Sequence, residues 1–211
     1  MVSQIKGPYR EIFPKAINYI KRELESCETV LDLGCGRNSS LQHCSVPYSL
    51  GVEIFKHYLE ESRRKGIHTE YVKADVRKIE FKPCSFDAIL ALDVLEHLTK
   101  EEGLILIKKM ENWARKKIII FTPNEYLWQN GYDNNPYQEH KSGWGVRDLE
   151  KFGFEVFGII GWKKLRGSQA SMKYKPTFLW GIFSDLTQIV THHHPELAFQ
   201  LLAIKQVRGD K

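Results

Sequence analysis

Cysteine is scarce in this 211-residue sequence, and none of its cysteines forms a C-x-x-C pair. We therefore expect Cys27, Cys35, Cys44 and Cys84 to be reduced thiols, with neither a disulfide framework nor a structural zinc site. No apolar run approaches the roughly 18 residues that a membrane-spanning helix needs. The first residues also lack the long apolar core of a signal peptide. These absences favour a cytoplasmic protein without a membrane partner.

Internal repeats, low-complexity segments and linkers are also missing, so we expect a single domain over residues 1–211. The hydrophobic fraction of 42% and the charged fraction of 27% are typical of a globular protein. The formal net charge of +5 is compatible with an anionic partner but does not require one. Basic clusters such as 115–117 lie at the ends of predicted elements, where solvated charges are common.

Apolar segments alternate with helical patterns along the chain, which predicts an α/β protein with a mostly parallel, doubly wound sheet. The predicted strands are 29–33, 48–52, 69–73, 86–92, 118–121, 154–162 and 198–207. The predicted helices are 9–26, 39–44, 55–65, 100–114 and 147–152. The histidine run 192–194 is expected to lie in a loop. Residues 164–196 give no clear pattern, and their aromatic and apolar side chains form either a helix over the sheet or a subunit contact. In such sheets a ligand lies beyond the carboxyl ends of the strands.

Glycine and acidic residues follow successive predicted strands. In the stretch VLDLGCGRNSS, Gly34 and Gly36 permit a tight turn and a close approach of the backbone to a ligand. Glu53 follows the second strand, where a carboxylate accepts two hydrogen bonds from a ribose diol. Asp75 follows the third strand, where it can bond an adenine amino group while the apolar Val76 packs on the ring. These positions predict a nucleoside site.

The nucleoside can belong to a dinucleotide or to a cationic cofactor. A dinucleotide site also has glycines after its first strand and an acid about 20 residues later, which Glu53 satisfies. However, Ser39 replaces the third glycine of that pattern, and Asp32 would place negative charge beside a pyrophosphate. S-adenosylmethionine carries a sulfonium and an ammonium group and no phosphate, so a carboxylate is favourable beside it. The acid at Asp32 therefore favours the cationic cofactor.

The ordered motifs D-x-G-x-G, E, AD, FDAILALDVLEHL and IIIFTPN resemble those of class I S-adenosylmethionine-dependent methyltransferases, in particular the methyltransferase type 11 group that includes the ubiquinone-pathway enzymes. The resemblance covers about residues 29–154. It implies a Rossmann-like, seven-stranded sheet whose last strand is antiparallel. It also implies that the cofactor contacts Asp32, Gly34, Cys35, Gly36, Glu53, Ile54, Asp75, Val76, Leu92 and Asp93. The missing third glycine affects only the shape of the turn near Asn38.

The same resemblance divides the chain into an N-terminal helical region (1–28), a cofactor-binding core (29–121), a substrate-side loop or lid (122–146) and the C-terminal half of the sheet (147–211). The lid carries aromatic residues that either stack on an acceptor or anchor the loop, namely Tyr126, Trp128, Tyr132, Tyr137 and Trp144. His97 and His140 are the candidate catalytic residues, with His140 as a possible general base.

A divalent metal is an alternative to direct base catalysis. Small-RNA 2′-O-methyltransferases and ubiquinone-pathway O-methyltransferases show E-x-x-E-H in this motif and a later histidine, and they bind a metal there. The corresponding residues of this chain are Asp93, Glu96, His97 and His140, with the first acid shorter by one methylene. Our primary interpretation contains no metal, with Glu96 capping the helix and the histidines lining the pocket.

The sequence leaves the methyl acceptor open. We expect a small molecule methylated at oxygen or nitrogen, with an RNA methyltransferase as the alternative within the class. A nicotinamide-dependent oxidoreductase and a non-catalytic cofactor-binding subunit are the alternatives outside it. Binding of NAD would identify the first of these, and cofactor binding without turnover the second. The oligomeric state is not predicted.

Overall fold

The computed structural model describes residues 16–131, 133–167 and 170–207. Within these ranges the helices are α1 (Ala16–Leu24), α2 (Lys56–Lys65), α3 (Lys100–Trp113), α4 (Val146–Glu150) and α5 (Thr177–His193). The strands are β1 (Thr29–Leu33), β2 (Tyr48–Glu53), β3 (Glu70–Lys73), β4 (Phe86–Leu92), β5 (Ala114–Pro123), β6 (Glu155–Trp162) and β7 (Ala198–Gln206).

The seven strands form one sheet in the order β3-β2-β1-β4-β5-β7-β6. Strands β1 to β5 pair in parallel, whereas β7 is antiparallel to both β5 and β6. The order reverses beside β1, which is the switch point where doubly wound sheets bind ligands. The predicted Rossmann-like fold, with its antiparallel last strand, is confirmed.

Both faces of the central strands are covered, as the continuous apolar stretch FDAILAL predicts. Alternate residues of β4 enter two separate apolar clusters: Ile89 and Ala91 pack into one, and Ala88 and Leu90 into the other. All four side chains are fully buried. The sheet is therefore a rigid central layer, and the loops at its carboxyl edge are held by it.

Two segments differ from the prediction. Strand β5 begins four residues earlier than predicted, because its charged first residues still pair along the sheet, as Lys117 does with Gln206. Helix α5 lies in the segment that gave no pattern, and His192 and His193 end this helix instead of forming a loop. The first seven residues of the predicted N-terminal helix, 9–15, fall outside the described residues. No helix among the described residues is long and apolar enough to cross a membrane.

A glycine in α3 allows the substrate-side loop to pack against the core. A Cβ atom at Gly103 would lie 2.4 Å from Cζ2 of Trp144, whose side chain is fully buried. We expect Gly103→Ala to lower the free energy of unfolding by about 1–3 kcal/mol, because overpacking costs more than the helix propensity gained. Gly181→Ala in α5 is the matched control, since its Cβ meets nothing within 4 Å. Urea denaturation of both variants tests this, and an unchanged Gly103→Ala midpoint would contradict it.

Candidate active site

The turn after β1 is fixed by a buried carboxylate at the end of β2. Gly34 and Gly36 adopt φ angles of 63° and 57°, which glycine tolerates without strain. Oε2 of Glu53 accepts a hydrogen bond from the Gly36 N–H at 3.0 Å, and Oε1 accepts one from the Phe55 N–H at 2.8 Å. Burial raises the pKa of Glu53, while these two bonds oppose the shift. The carboxylate is therefore rigidly aimed at the glycine turn.

Asp32 lies beneath the same turn. Its Oδ2 accepts a hydrogen bond from the Ser39 hydroxyl and lies 2.9 Å from Nε2 of the buried His68. Our prediction included Asp32 but missed both partners. The Ser39 contact shows why serine occupies the position of the third glycine, and the departure from the motif was the only sequence indication of it. No sequence pattern indicated His68, which precedes β3.

Asp75 is paired with an arginine that the sequence analysis overlooked. Nη2 of Arg77 donates to Oδ2 of Asp75 at 2.6 Å, and Nε donates to both carboxylate oxygens. These hydrogen bonds lower the pKa of Asp75, which therefore stays ionised near neutral pH. Arg77 also bonds Glu102 of α3 at 2.9 Å, so the loop after β3 is tied to that helix.

Two adjoining cavities at the carboxyl edge of the sheet are lined by all ten predicted cofactor residues. One, of about 120 Å³, is lined by residues that include Glu53, Ile54, Asp75 and Val76. The other, of about 360 Å³, is lined by Asp32, Cys35, Gly36 and Leu92 among others. Gly34 and Asp93 line both. A diol-accepting carboxylate, apolar neighbours and further carboxylates fit the ribose, the adenine and the cationic end of S-adenosylmethionine.

The turn after β4 carries a buried acid and anchors the substrate-side loop. Glu96 does not cap α3, since Thr99 and Glu102 form the capping box of that helix. Its carboxylate accepts a hydrogen bond from the Thr122 hydroxyl at 3.1 Å. Burial raises the pKa of Glu96 well above its usual value, and repulsion by Asp93 adds to the shift. The Lys141 and Ser142 amides both donate to the backbone carbonyl of Glu96, which holds the loop against the turn.

These contacts bring the two candidate catalytic histidines together, with ring centroids 4.9 Å apart. Nδ1 of His97 lies 3.1 Å from the carbonyl oxygen of Glu139, and Nδ1 of His140 lies 2.6 Å from that of Leu127. A carbonyl oxygen only accepts, so both Nδ1 atoms carry the hydrogen, and each neutral ring keeps its lone pair on Nε2. Burial lowers both pKa values, that of His97 to about 4, so both rings are neutral at physiological pH.

Three of the four residues of the alternative metal site lie together. One potential ligand atom from each of Glu96, His97 and His140 falls within 4.8 Å of the other two. Asp93 is not part of this set, and its Oδ1 accepts a hydrogen bond from Gln200 at 3.2 Å. Three of the four residues of the metal hypothesis thus form the set, and Asp93 adjoins it through a side-chain hydrogen bond with Glu96. This donor set of two imidazoles and one carboxylate suits a divalent ion.

A third cavity, of about 410 Å³, adjoins the cofactor residues on the side of the substrate loop. Asp93, His97 and Gln138 line this cavity and both cavities of the cofactor side. His140 and Phe199 also line it. The sequence analysis missed Gln138, because a glutamine in a polar loop gives no distinguishing pattern. Asp93, His97 and Gln138 therefore lie between the two cofactor cavities and the third cavity.

The aromatic residues of the substrate loop have different roles. Trp144 is buried in the core and anchors the loop, and Tyr137 lines the smaller cofactor cavity. Tyr126 and Trp128 are exposed, and Tyr126 donates a long hydrogen bond to the His140 carbonyl. Tyr132 lies outside the described residues. None of the four described aromatic residues of this loop therefore lines the third cavity.

Comparison with known proteins decides between the two cofactor interpretations. Residues 31–119, which contain the glycine turn, Glu53, Asp75 and the turn after β4, match a family model described as a methyltransferase domain. The chain carries a class I S-adenosylmethionine-dependent methyltransferase domain. The oxidoreductase is thereby set aside.

Similar proteins support the same assignment for this methyltransferase. A putative methyltransferase of Encephalitozoon cuniculi is 25% identical over 68% of both chains. The (S)-coclaurine N-methyltransferase of Thalictrum flavum subsp. glaucum is 24% identical over 56% of this chain, which spans only 35% of that relative. The fold is similar to that in a crystal structure of magnesium protoporphyrin IX methyltransferase from Synechocystis PCC 6803 with bound S-adenosylhomocysteine. The two structures align over 91% of this chain and 81% of the other, with a TM-score of 0.55 and 15% sequence identity.

Proposed function

We propose that this methyltransferase transfers a methyl group to an oxygen or nitrogen of a small-molecule acceptor held in the 410 Å³ cavity. The observation that carries the proposal is that Asp93, His97 and Gln138 line this cavity and both cofactor cavities. The volume falls in the range of small-molecule sites. The named substrates of two similar proteins, coclaurine and magnesium protoporphyrin IX, are also small molecules.

Glu53 would hold the ribose diol of the cofactor, and Ile54 and Val76 would pack on its adenine. Asp32 and Asp93 would lie toward its cationic end, with the backbone of Leu92, Gly34, Cys35 and Gly36 beside the methionine part. Bound S-adenosylmethionine supplies an electrophilic methyl group on a sulfonium. The chain itself then has to orient the acceptor and exclude water. Residues 29–121 would therefore bind the cofactor, and residues 122–146 would cover the acceptor.

His97 is the residue best placed to accept the proton of an acceptor hydroxyl or amine. Its Nδ1–H is held by the Glu139 carbonyl, so the lone pair of Nε2 is available to a substrate proton. The neighbouring His140 is oriented in the same way by the Leu127 carbonyl. Both backbone contacts fix the ring tautomers before any substrate binds, which lowers the cost of orienting the base.

An acceptor screen tests the proposed function. The full-length protein is incubated with methyl-labelled S-adenosylmethionine and a panel of phenols, catechols, amines and bulk RNA. We expect label on a small molecule, and loss of that transfer in Leu127→Trp, because Leu127 lines the acceptor cavity and neither cavity of the cofactor side. Transfer to RNA alone would contradict the proposal and favour the RNA methyltransferase.

A metal-assisted O-methyltransferase is a second candidate, favoured by the cluster of Glu96, His97 and His140. Metal-bound histidines usually donate their second ring N–H to a carbonyl or carboxylate, and both histidines already do so. These three residues would hold a divalent ion, which supplies Lewis acidity toward an acceptor hydroxyl. The remaining coordination positions would be open to that acceptor.

Metal binding is measured by titrating the chelator-treated protein with Mn²⁺, Co²⁺ and Zn²⁺ in a calorimeter. The metal hypothesis predicts one site per chain, weakened at least tenfold in Glu96→Gln, since even a change to a residue that only hydrogen-bonds a metal ligand commonly costs about 10–100-fold in affinity. His43→Ala, an exposed histidine, is the control. Absence of binding, together with full activity in chelator, would eliminate this candidate and leave His97 as the base.

A further inference from the structure

The outer face of α5 is apolar and exposed. It consists of Phe178, Leu179, Ile182, Phe183, Leu186 and Ile189, whose side chains are between 45% and 66% exposed. A helix on the surface of a globular protein normally turns such residues toward the core and its polar residues toward water. A contiguous apolar patch of this kind marks a binding surface for a protein or a membrane.

The inner face of the same helix is polar and is bonded to β6. Ser184, Gln188 and Thr191 are buried. The Gln188 side chain accepts a hydrogen bond from the Gly161 N–H at 2.8 Å and donates one to the Gly158 carbonyl at 2.7 Å. A rotation of α5 that buried the outer face would break both bonds and leave polar groups of the sheet without partners. The exposure of the apolar face is therefore built into the fold.

The chain leading into α5 is basic. Residues 163–184 contain five basic residues and no acidic one. Arg166 turns inward, with its guanidinium bonded to the Ile160 and Ala170 carbonyls, and Lys163 pairs with Glu125 at 3.0 Å. The remaining three, Lys164, Lys173 and Lys175, are exposed.

Two of these lysines are held beside the first turn of the helix. The ring of Tyr174 packs on that of Trp180 with centroids 5.0 Å apart, and Tyr174 lies between Lys173 and Lys175 in the chain. The positive charge therefore borders the apolar face at its N-terminal end. An apolar helical face with lysines and aromatic residues at its border is typical of helices that lie in the plane of a bilayer surface.

We propose that the outer face of α5, together with Lys173 and Lys175, docks on the surface of an anionic lipid bilayer. The lipid tails would receive the apolar side chains, and the anionic headgroups would attract the lysines. Pairing with a second copy would cover the apolar face but would give the two lysines no role. The absence of a membrane-spanning segment led us to expect no membrane partner, but a helix lying on the surface needs no such segment.

Flotation of the full-length protein with lipid vesicles tests this proposal. We expect binding to vesicles of phosphatidylcholine mixed with phosphatidylglycerol, and much weaker binding to phosphatidylcholine alone. Lys173→Glu/Lys175→Glu is expected to reduce the partition coefficient at least about fivefold for each lysine lost, because each contributes about a factor of five near an anionic surface. Added salt should weaken binding of the wild type in the same direction.

A double substitution and a matched control test how much the apolar side chains of α5 contribute to vesicle binding. Ile182→Gln/Ile189→Gln should abolish flotation without changing thermal stability, since both side chains are exposed. Ile105→Gln, on the exposed face of α3, is the matched control and should float like the wild type. Failure of the wild type to float with anionic vesicles would overturn the proposal, as would equal binding to neutral vesicles. A dimer in analytical ultracentrifugation that Ile182→Gln/Ile189→Gln dissociates, without flotation, would identify a second copy as the occupant.

Discussion

Glu53→Ala is expected to weaken the binding of S-adenosylhomocysteine by about 100-fold or more. A carboxylate that accepts two hydroxyl hydrogen bonds contributes about 1.5–3 kcal/mol for each bond. The alanine would also leave the Gly36 and Phe55 amides without their acceptors, so the glycine turn would lose its support. Calorimetric titration of the wild type and the variant measures the change directly.

Two further variants separate ribose recognition from general damage to the fold. Glu60→Ala, which removes an exposed glutamate on α2, should bind the ligand like the wild type. Glu53→Asp keeps the charge but shortens the side chain, and we expect an affinity between those of the wild type and Glu53→Ala. Retention of affinity within threefold in Glu53→Ala, in a folded protein, would show that the ribose does not bind at the end of β2.

His97→Ala is expected to lower kcat by about 100-fold or more with the acceptor found in the screen, because a positioned general base contributes about 10²–10⁴-fold. The affinity for S-adenosylhomocysteine should change little, since Glu53 and the glycine turn remain intact. His140→Ala should have a smaller effect, because His140 lines only the acceptor cavity. Steady-state kinetics with each variant provide the comparison.

His43→Ala again serves as the control, because His43 is exposed and lines none of the three cavities described above. An unchanged kcat in His97→Ala would remove this residue from the reaction. A loss of activity in His97→Ala that is accompanied by an equal loss of cofactor affinity would indicate that His97 supports the pocket and does not take a proton.

The sequence predicted the cofactor side of the site better than the acceptor side, for a physical reason. The cofactor residues lie at or just beyond the carboxyl ends of strands, and the apolar segments of the sequence locate those ends to within two residues. Once the strands are parallel, Gly34, Glu53, Asp75 and Asp93 must meet at one edge of the sheet. Their proximity therefore follows from local patterns and topology.

The acceptor side depends on contacts that have no periodic pattern. The amides of Lys141 and Ser142 bond the Glu96 carbonyl, and this pairing brings His140 to His97 across more than 40 residues. The orientation of the two imidazole rings then depends on the Leu127 and Glu139 carbonyls. Because every residue type supplies a backbone carbonyl, the sequence does not indicate these contacts. The resemblance to metal-dependent relatives indicated the histidine pair, but only the structure shows that Asp93 lies beside the three-residue set, with hydrogen bonds to both Gln200 and Glu96.

A helix over the sheet was one of two interpretations of residues 164–196, but the orientation of α5 was not predicted because its polarity is reversed. An apolar helix face in a sequence is normally assigned to the core, whereas here Ser184, Gln188 and Thr191 face the sheet. The same reversed polarity leaves the apolar side chains of α5 exposed, and this exposure supports the proposed bilayer surface.

A crystal structure with bound S-adenosylhomocysteine tests the central claim most directly. The account predicts ribose hydroxyls on the Glu53 carboxylate, the adenine ring beside Ile54 and Val76, and the sulfur facing the cavity bounded by Asp93, His97 and Gln138. A ligand bound elsewhere on the chain, or one whose sulfur faces away from that cavity, would contradict it.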